Sequence, residues 1–273
     1  MNNTGKWKPW LYLLPSLIFL GIFMVYPLFD VIVYSLEEGY NSAAQTYWGI
    51  GLYNFRYVLR DPYFLQALKN TFLIVIITVP VSTGLALLIS LGLNSISRLK
   101  DLFQTISEGF INLLIRFFGG TPIDFIEGPY WAKMLVMCIY TVWIVLPFKI
   151  LILTSALAGV NPDYYKAAKV DGTRSFRIFY KITLPMIAPM ITYLVITGFI
   201  GAFKAYSDEV AIFGTNLNAA GMNTIVGYVY DMLYGESGGY PSYASAASLL
   251  LFAIVFTVTV INLMLTGREE GAS

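Results

Sequence analysis

Five long apolar runs alternate with polar stretches along this chain. The runs cover residues 10–34, 67–93, 132–157, 186–203 and 244–265. About 20 residues of helix cross the hydrocarbon core of a bilayer, and a helix satisfies its own backbone hydrogen bonds in lipid. The first run is longer than the core of a signal peptide and lacks a small-residue cleavage site, so we interpret it as an anchored span. The pattern predicts an all-α integral membrane protein, a polytopic helical bundle with five clear spans.

Cationic residues at the ends of the runs indicate how the spans are oriented. Lys and Arg in short loops stay in the cytoplasm, so Lys6 and Lys8 place the N-terminus inside. The first span then leaves the cytoplasm, and the second span returns to Arg98 and Lys100. This orientation places two segments outside the cytoplasm, namely 35–65 and 204–243.

The next basic loop disagrees with this count of spans. It carries a cluster of cations: Lys166, Lys169, Arg174, Arg177 and Lys181. Only the run 132–157 separates that loop from Arg98 and Lys100, although two loops on the same side need an even number of crossings. One crossing is therefore unaccounted for.

The stretch 101–131 is the candidate for the sixth crossing. Glu108 and Arg116 interrupt its apolar residues, and each costs about 2.5–3.5 kcal/mol at a helix centre. The pattern is more typical of an amphipathic helix on a membrane face. Either this irregular stretch re-enters or crosses in a protein-lined setting, or about 20–25 residues of a true span are missing near Ile106 and Ser107. We favour the second interpretation.

Composition narrows the possible classes of function. Hydrophobic residues make up 57% of the chain and charged residues 12%, a charged share about half that of soluble domains. Cys138 is the single cysteine, which excludes an intrachain disulfide and a thiolate metal cluster. The chain has no histidine, the commonest general base and metal ligand, and no phosphate-cradling Gly-rich motif. We therefore expect no catalytic or metal-binding residue, no bound cofactor and no nucleic-acid partner.

The basic loop at 161–185 has the pattern of two short helices. An Asn-Pro pair at 161–162 is a helix-start signal, and residues 163–170 continue that helix. An Asp-Gly pair at 171–172 makes a break, because glycine adopts the left-handed backbone at low cost. A second short helix is expected at 173–182, before a proline that opens the next span. The pattern predicts a compact helical hairpin that projects from the membrane.

This loop resembles the EAA loop of permease subunits in ATP-binding-cassette importers. The positions that match the family pattern are Ala167, Ala168, Asp171, Gly172, Phe179, Ile182, Leu184 and Pro185. Lys166 stands where the family has Glu, and Thr173 stands where it has a second Ala. Similarity to the carbohydrate-uptake branch continues in "GLYNFRYVLRDPYFLQALKNTF", "GAFKAYSDEVAIFG" and "NTIVGYVYDMLY", and it covers nearly the entire chain. Members of that branch normally have six spans or more, which independently repeats the inference that a crossing is missing.

The resemblance implies a single permease domain over 1–273, surrounded by lipid in the plasma membrane of a prokaryote. This subunit would form half of the pathway for a sugar or oligosaccharide, beside a second, related permease. A cytoplasmic ATPase dimer would bind ATP and Mg²⁺ and receive the EAA loop, and an extracytoplasmic solute-binding protein would deliver the solute. In the loop, Ala167 and Ala168 would allow close approach, Gly172 would set the bend and Phe179 would be an apolar anchor. A plainer interpretation is a loop whose cations only orient the protein.

A sugar pathway needs aromatic rings for stacking and polar groups for hydroxyls. The candidates are Tyr140, Trp143, Lys149, Phe199, Phe203 and Tyr206. In a chain with 16% aromatic residues, such side chains more often face lipid or core. Lys149 lies inside an apolar run, where an ionisable residue is a functional candidate, although its long stem could also carry the charge to the interface.

Two other interpretations of the transporter remain open. In the first, the chain belongs to the same importer class, but the solute is an amino acid or a peptide. In the second, the chain is an ion-coupled secondary transporter, which would be expected to carry carboxylates or histidines inside its spans. No Asp or Glu lies well inside the five runs, since Asp30 is near one end.

Overall fold

Helices dominate the computed structural model, which describes residues 8–93, 125–235 and 238–270. Five helical stretches are long and apolar enough to cross a membrane: Leu11–Leu36, Pro62–Gly92, Tyr130–Ala158, Ser175–Phe203 and Pro241–Met264. They confirm the all-α class and the five spans predicted from the apolar runs.

The proposed sixth crossing cannot be compared in the same way. Residues 94–124, with the Ile106–Ser107 junction, lie outside the described residues, as do Lys6, Arg98 and Lys100. The missing crossing and the orientation of the spans therefore stay predictions.

The helices are numbered here in chain order. The first six are α1 (Lys8–Leu20), α2 (Tyr26–Leu36), α3 (Tyr53–Val58), α4 (Pro62–Leu93), α5 (Tyr130–Ala158) and α6 (Pro162–Val170). The others are α7 (Ser175–Ile178), α8 (Leu184–Phe203), α9 (Ser207–Phe213), α10 (Leu217–Ala220), α11 (Ile225–Tyr234) and α12 (Pro241–Glu270).

In the described part of the chain, two wide, π-helical turns join helices that would otherwise be separate. One turn, Gly21–Val25, connects α1 to α2, and the other, Phe179–Thr183, connects α7 to α8. A proline, Pro27 or Pro185, follows two residues after each turn. The proline ring clashes with the carbonyl four residues earlier, and that carbonyl lies inside the wide turn in both cases. The π turn therefore lets each helix continue past its proline.

The chain divides into two compact units. One contains Met1–Ala67 and Ile225–Ile254, and the other contains Leu68–Thr224 and Val255–Ser273. In the second unit, α4, α5 and α8 meet through a buried cluster of Ala86, Leu146, Leu153 and Leu194. Close packing of this kind holds helices together in lipid, where burial from water cannot.

The 161–185 loop agrees with the prediction in its first half and differs in its second. Helix α6 begins at Pro162, and the Asn161 side chain caps it by accepting from the Asp163 N–H at 2.9 Å. The expected second short helix is not a separate element. Helix α7 begins at Ser175 and runs through the π turn into α8, so the predicted boundary at Pro185 is wrong. The span is one continuous helix, Ser175–Phe203.

Candidate functional site

The inward face of the 161–185 loop packs against the rest of the second unit. Ala168 of α6 is buried, and the Tyr165 side chain packs against the cluster that contains Leu157. The hydroxyls of Tyr165 and Thr183 share a hydrogen bond of 3.2 Å. These contacts fix α6 to the start of the long helix that continues as α8.

The opposite face of the loop is exposed and combines apolar with cationic side chains. Val170 is 87% exposed and Phe176 is 80% exposed. Each lies two residues from an inward-facing neighbour, Ala168 or Ile178, and two residues turn a helix by about 200°. The exposed cations are Lys166, Lys169, Arg174, Arg177 and Lys181. Such a surface suits a protein partner that offers apolar contacts and acidic groups.

The residues that match the EAA pattern lie together in this loop at different depths. Ala168 is buried, and Phe179, Ile182 and Leu184 are half-buried. The exposed ones are Ala167, Asp171, Gly172 and Pro185. Gly172 has φ +68°, and nothing lies within 4 Å of the position that a Cβ would take. The bend therefore depends on glycine's backbone freedom rather than on a lack of space.

The most exposed aromatic ring of the loop is that of Phe176, which the motif did not indicate. Phe179, expected to be the apolar anchor, is only partly accessible. Counting helical positions outward from the buried Ile178 is the signal that could have found Phe176.

Lys149 lies at the junction of three spans. Its side chain is 4% exposed, and Nζ donates to Ser82 Oγ at 2.7 Å and to Thr83 Oγ1 at 2.9 Å. Both hydroxyls donate hydrogen bonds to the Val79 carbonyl, Ser82 at 3.2 Å and Thr83 at 2.8 Å. A Cβ at Gly198 of α8 would lie 3.3 Å from Nζ.

These distances exclude one of the two interpretations of Lys149, and its role in the sugar pathway stays a prediction. The ammonium group is hydrogen-bonded inside the helix bundle, so the stem does not carry the charge to an interface. Within the described residues, no carboxylate forms a salt bridge with Lys149.

The aromatic candidates for the sugar pathway lie at different depths in the structure. Phe203 is almost fully buried, and its ring meets that of Phe72 edge to face with centroids 5.4 Å apart. Trp143 is exposed. The half-buried candidates are Tyr140, Phe199 and Tyr206. Their contact with a sugar stays a prediction.

Polar side chains of α4 and α5 hold the loop around Gly221. Asn70 donates from Nδ2 to the carbonyls of Gly221 at 3.0 Å and Asn223 at 2.9 Å. The Tyr130 hydroxyl donates to Asn70 Oδ1 at 2.8 Å, and Lys133 Nζ donates to the Ala220 carbonyl at 3.0 Å. Asn70 thus binds the backbone of the loop that connects α10 to α11.

Glu209 of α9 is fully buried, and neither carboxylate oxygen has a hydrogen-bond partner among the described residues. Burial raises the pKa of this carboxyl to about 7. An unpaired buried carboxylate is costly, so the group favours its neutral form. The sequence did not indicate Glu209, because an acidic residue in a polar segment is ordinary until its burial is known.

A family model and two known permeases match most of this chain. The model described as "Binding-protein-dependent transport system inner membrane component" matches residues 64–268. The chain is 29% identical over 281 residues to the lactose transport system permease protein LacF of Rhizobium radiobacter, covering 93% of this chain and 91% of that protein. It is 26% identical over 300 residues to the arabinooligosaccharides transport system permease protein AraP of Bacillus subtilis (strain 168), covering 98% and 91%.

The fold also matches a solved structure. A chain in the crystal structure of a bacterial alginate ABC transporter, in complex with alginate pentasaccharide-bound periplasmic protein, superposes with a TM-score of 0.75. The match covers 96% of this chain and 95% of that chain at 19% sequence identity. At this identity, the likeness establishes the helical architecture.

Proposed function

Because this chain belongs to the family of binding-protein-dependent transport system inner membrane components, we propose that it forms half of a membrane pathway for ATP-driven import of a sugar or oligosaccharide. Membership makes the chain a multi-pass transport permease. The named relatives favour a saccharide as the solute, since one is a lactose permease protein and another an arabinooligosaccharide permease protein.

The observation that carries the proposal is the continuity between the 161–185 loop and a span. The exposed Phe176 belongs to the same unbroken helix, Ser175–Phe203, that crosses the membrane. Helix α6 is fixed to that helix through the hydrogen bond between Tyr165 and Thr183. A partner that moves the loop therefore moves the span with it, because packed helices shift as units.

The proposed importer has three kinds of partner. A cytoplasmic ATPase dimer holds ATP and Mg²⁺ and binds the exposed face of the loop, with Val170 and Phe176 as apolar contacts. A second, related permease completes the pathway, and an extracytoplasmic solute-binding protein delivers the saccharide. The importer class is binding-protein-dependent by its family description.

Uptake measurements test the proposal. Cells that lack their own systems for these sugars, and that carry the complete importer, should accumulate labelled lactose or arabinotriose as long as ATP is supplied. Dissipating the proton gradient at constant ATP should leave uptake unchanged. Uptake that stops with the gradient while ATP is plentiful contradicts the proposal and favours an ion-coupled transporter.

Replacing Phe176 tests the coupling surface directly. Phe176→Ala should reduce the amount of ATPase that co-purifies with the chain at least tenfold, because a buried aromatic anchor contributes about 2 kcal/mol or more at an interface. Phe148→Ala is the matched control, since Phe148 is an exposed ring on α5 outside the loop. Equal ATPase recovery with both variants would show that the partner does not bind Phe176.

A further inference from the structure

The segment between α2 and α3 is folded around one buried side chain, Asn54. Its Nδ2 donates to the carbonyls of Ser35 and Glu37, both at 2.9 Å, and its Oδ1 accepts from the Gly39 N–H at 3.0 Å. Asn54 is fully buried. A connection as long as 37–52 is usually functional when it is ordered, and here the hydrogen bonds hold it in one shape.

Trp48 presents a flat ring face on this segment. Gly39 has φ +66°, and a Cβ built on it would lie 3.0 Å from three adjoining ring atoms of Trp48, Cδ2, Cε2 and Cε3. Equal distances to three adjoining atoms mean that the indole lies flat against Gly39. Trp48 is nevertheless 73% exposed, so its opposite face is open.

Tyrosine rings extend this face into a row. The Trp48 and Tyr53 rings meet edge to face with centroids 5.7 Å apart, and Tyr57 follows Tyr53 at 6.3 Å. Tyr57 is stacked on Tyr243 at 4.2 Å with an interplanar angle of 14°. Because Tyr243 is buried, it fixes the exposed Tyr57 ring from behind. We call Trp48, Tyr53 and Tyr57 the aromatic track.

A cavity of about 290 Å³, lined by both apolar and charged side chains, adjoins the track. Its lining residues are Tyr53, Arg56, Tyr57, Arg60, Asp61 and Pro62. The Asp61 carboxylate is held in place, because Oδ2 accepts from the Tyr228 hydroxyl at 2.7 Å and Oδ1 from the Tyr63 N–H at 2.9 Å. The volume is near the lower end of small-molecule pockets, which hold ~300–1,000 Å³, so it suits one sugar unit.

We propose that the aromatic track receives a neutral saccharide on the outer side of the protein, with one sugar unit in the adjoining cavity. The apolar face of the sugar stacks on the exposed rings. The guanidinium groups of Arg56 and Arg60 donate to its hydroxyls, and Asp61 accepts from them. This inference rests on the proposed function and on the predicted placement of 35–65 outside the cytoplasm.

The lining favours a sugar over a lipid headgroup. Trp and Tyr also collect at membrane interfaces, and arginines alone would suit a phosphate. Asp61 lies in the same cavity, however, and a carboxylate repels an anion. Sugar hydroxyls both donate and accept hydrogen bonds, so they match a lining that does both.

Binding to the full chain in phosphatidylcholine nanodiscs tests the site. Saturation-transfer NMR with lactose and with arabinotriose should give a saturable signal for the wild-type chain. Trp48→Ala should weaken the affinity at least tenfold, and so should the double variant Arg56→Ala/Arg60→Ala. Trp48→Tyr keeps a flat ring and should stay within about threefold of the wild type. Trp131→Ala, which removes an exposed indole elsewhere, should leave the signal unchanged.

Two outcomes overturn the outer site. One is sugar binding that Trp48→Ala and the double arginine variant leave unchanged. The other is the absence of any sugar signal together with quenching of Trp48 fluorescence by brominated phosphatidylcholine. The Trp48 contribution is obtained by subtracting the fluorescence of Trp48→Phe. That result would place the Trp48 ring in the lipid interface. Transport separates this inference from the proposed function. If the wild-type importer takes up neither sugar, the proposed function fails. If it takes up sugar but Trp48→Ala leaves the sugar affinity unchanged, only the outer site is overturned.

Discussion

The Lys149 ammonium group is accommodated inside the helix bundle because it donates hydrogen bonds to two hydroxyl groups. The hydroxyls of Ser82 and Thr83 donate hydrogen bonds to the Val79 carbonyl, so their oxygen lone pairs are available to accept from the ammonium. An ionisable residue at this depth is costly unless it is hydrogen-bonded. The acceptors therefore matter more to stability than the lysine does.

Replacing the two hydroxyl acceptors should therefore destabilise the protein more than replacing Lys149 itself. Lys149→Met should leave the thermal midpoint of the full chain unchanged or raise it, because both hydroxyls keep their bonds to Val79 and the buried charge is gone. The double variant Ser82→Ala/Thr83→Val should cost about 3 kcal/mol or more, because it leaves the ammonium without acceptors. Thermal unfolding in detergent measures both. A larger loss for Lys149→Met than for the double variant would contradict this account.

Glu209 should make stability depend on pH. Its pKa is about 7 in the folded protein and about 4.3 in an unfolded chain. Because the folded pKa is raised, the folded state binds the proton more tightly. The stabilisation is fully present below pH ~4.3 and is lost as pH rises through about 7, and it amounts to roughly 4 kcal/mol. Thermal midpoints from pH 5 to 8 should fall accordingly.

Glu209→Gln should remove that pH dependence, because an amide does not titrate in this range. Its absolute stability is not the readout, since a buried amide has its own unpaired donors. The control is Asp208→Asn, at the less buried neighbouring acid of α9, which should keep the slope. If wild type and Glu209→Gln change equally with pH, the buried carboxyl is not the source.

At the scale of elements, the turn between α6 and α7 depends on one backbone angle. Gly172→Ala should destabilise the full chain by about 1–2 kcal/mol, because an L-residue resists φ +68°. Gly201→Ala is the matched control, since the space around a Cβ is equally open there, but Gly201 lies inside α8 and alanine favours a helix by about 0.5–1 kcal/mol. Thermal midpoints should move in opposite directions. Shifts of the same sign would contradict the role of φ.

The boundary between α7 and α8 shows what local sequence rules miss in this element. A proline predicts a helix start, and Pro185 was accordingly expected to open a new span. Helix α7 reaches across it because the turn Phe179–Thr183 widens and removes the clash. A π turn has no residue pattern of its own that the rules recognise, so the sequence could not reveal the continuity.

At the scale of the whole molecule, the sequence predicted what depends on composition and missed what depends on packing. The five spans follow from apolar runs long enough to cross a bilayer. The helix at Pro162 and the bend at Gly172 follow from local chemistry. The burial of Glu209 and the contact of the Trp48 indole with Gly39 arise from tertiary packing, which apolar periodicity does not encode.

The comparison with AraP bears on the missing crossing. The alignment extends over 300 positions, whereas this chain has 273 residues. Some residues of AraP therefore have no counterpart in this chain, and the missing crossing near Ile106 and Ser107 stays a prediction. The two basic loops that flank the third span led to the same expectation from charge alone.

The length of the Ser175–Phe203 helix turns small displacements into larger ones. At 1.5 Å per residue, its 29 residues extend about 43 Å. The buried Ile187 packs with Leu157 and Val160, so a tilt of the helix would pivot about this position. The arm from there to Phe176 is about 17 Å and the arm to Phe203 is about 24 Å. A sideways shift of the arm that carries Phe176 would therefore reverse its direction and become about 1.4-fold larger where Phe203 meets Phe72.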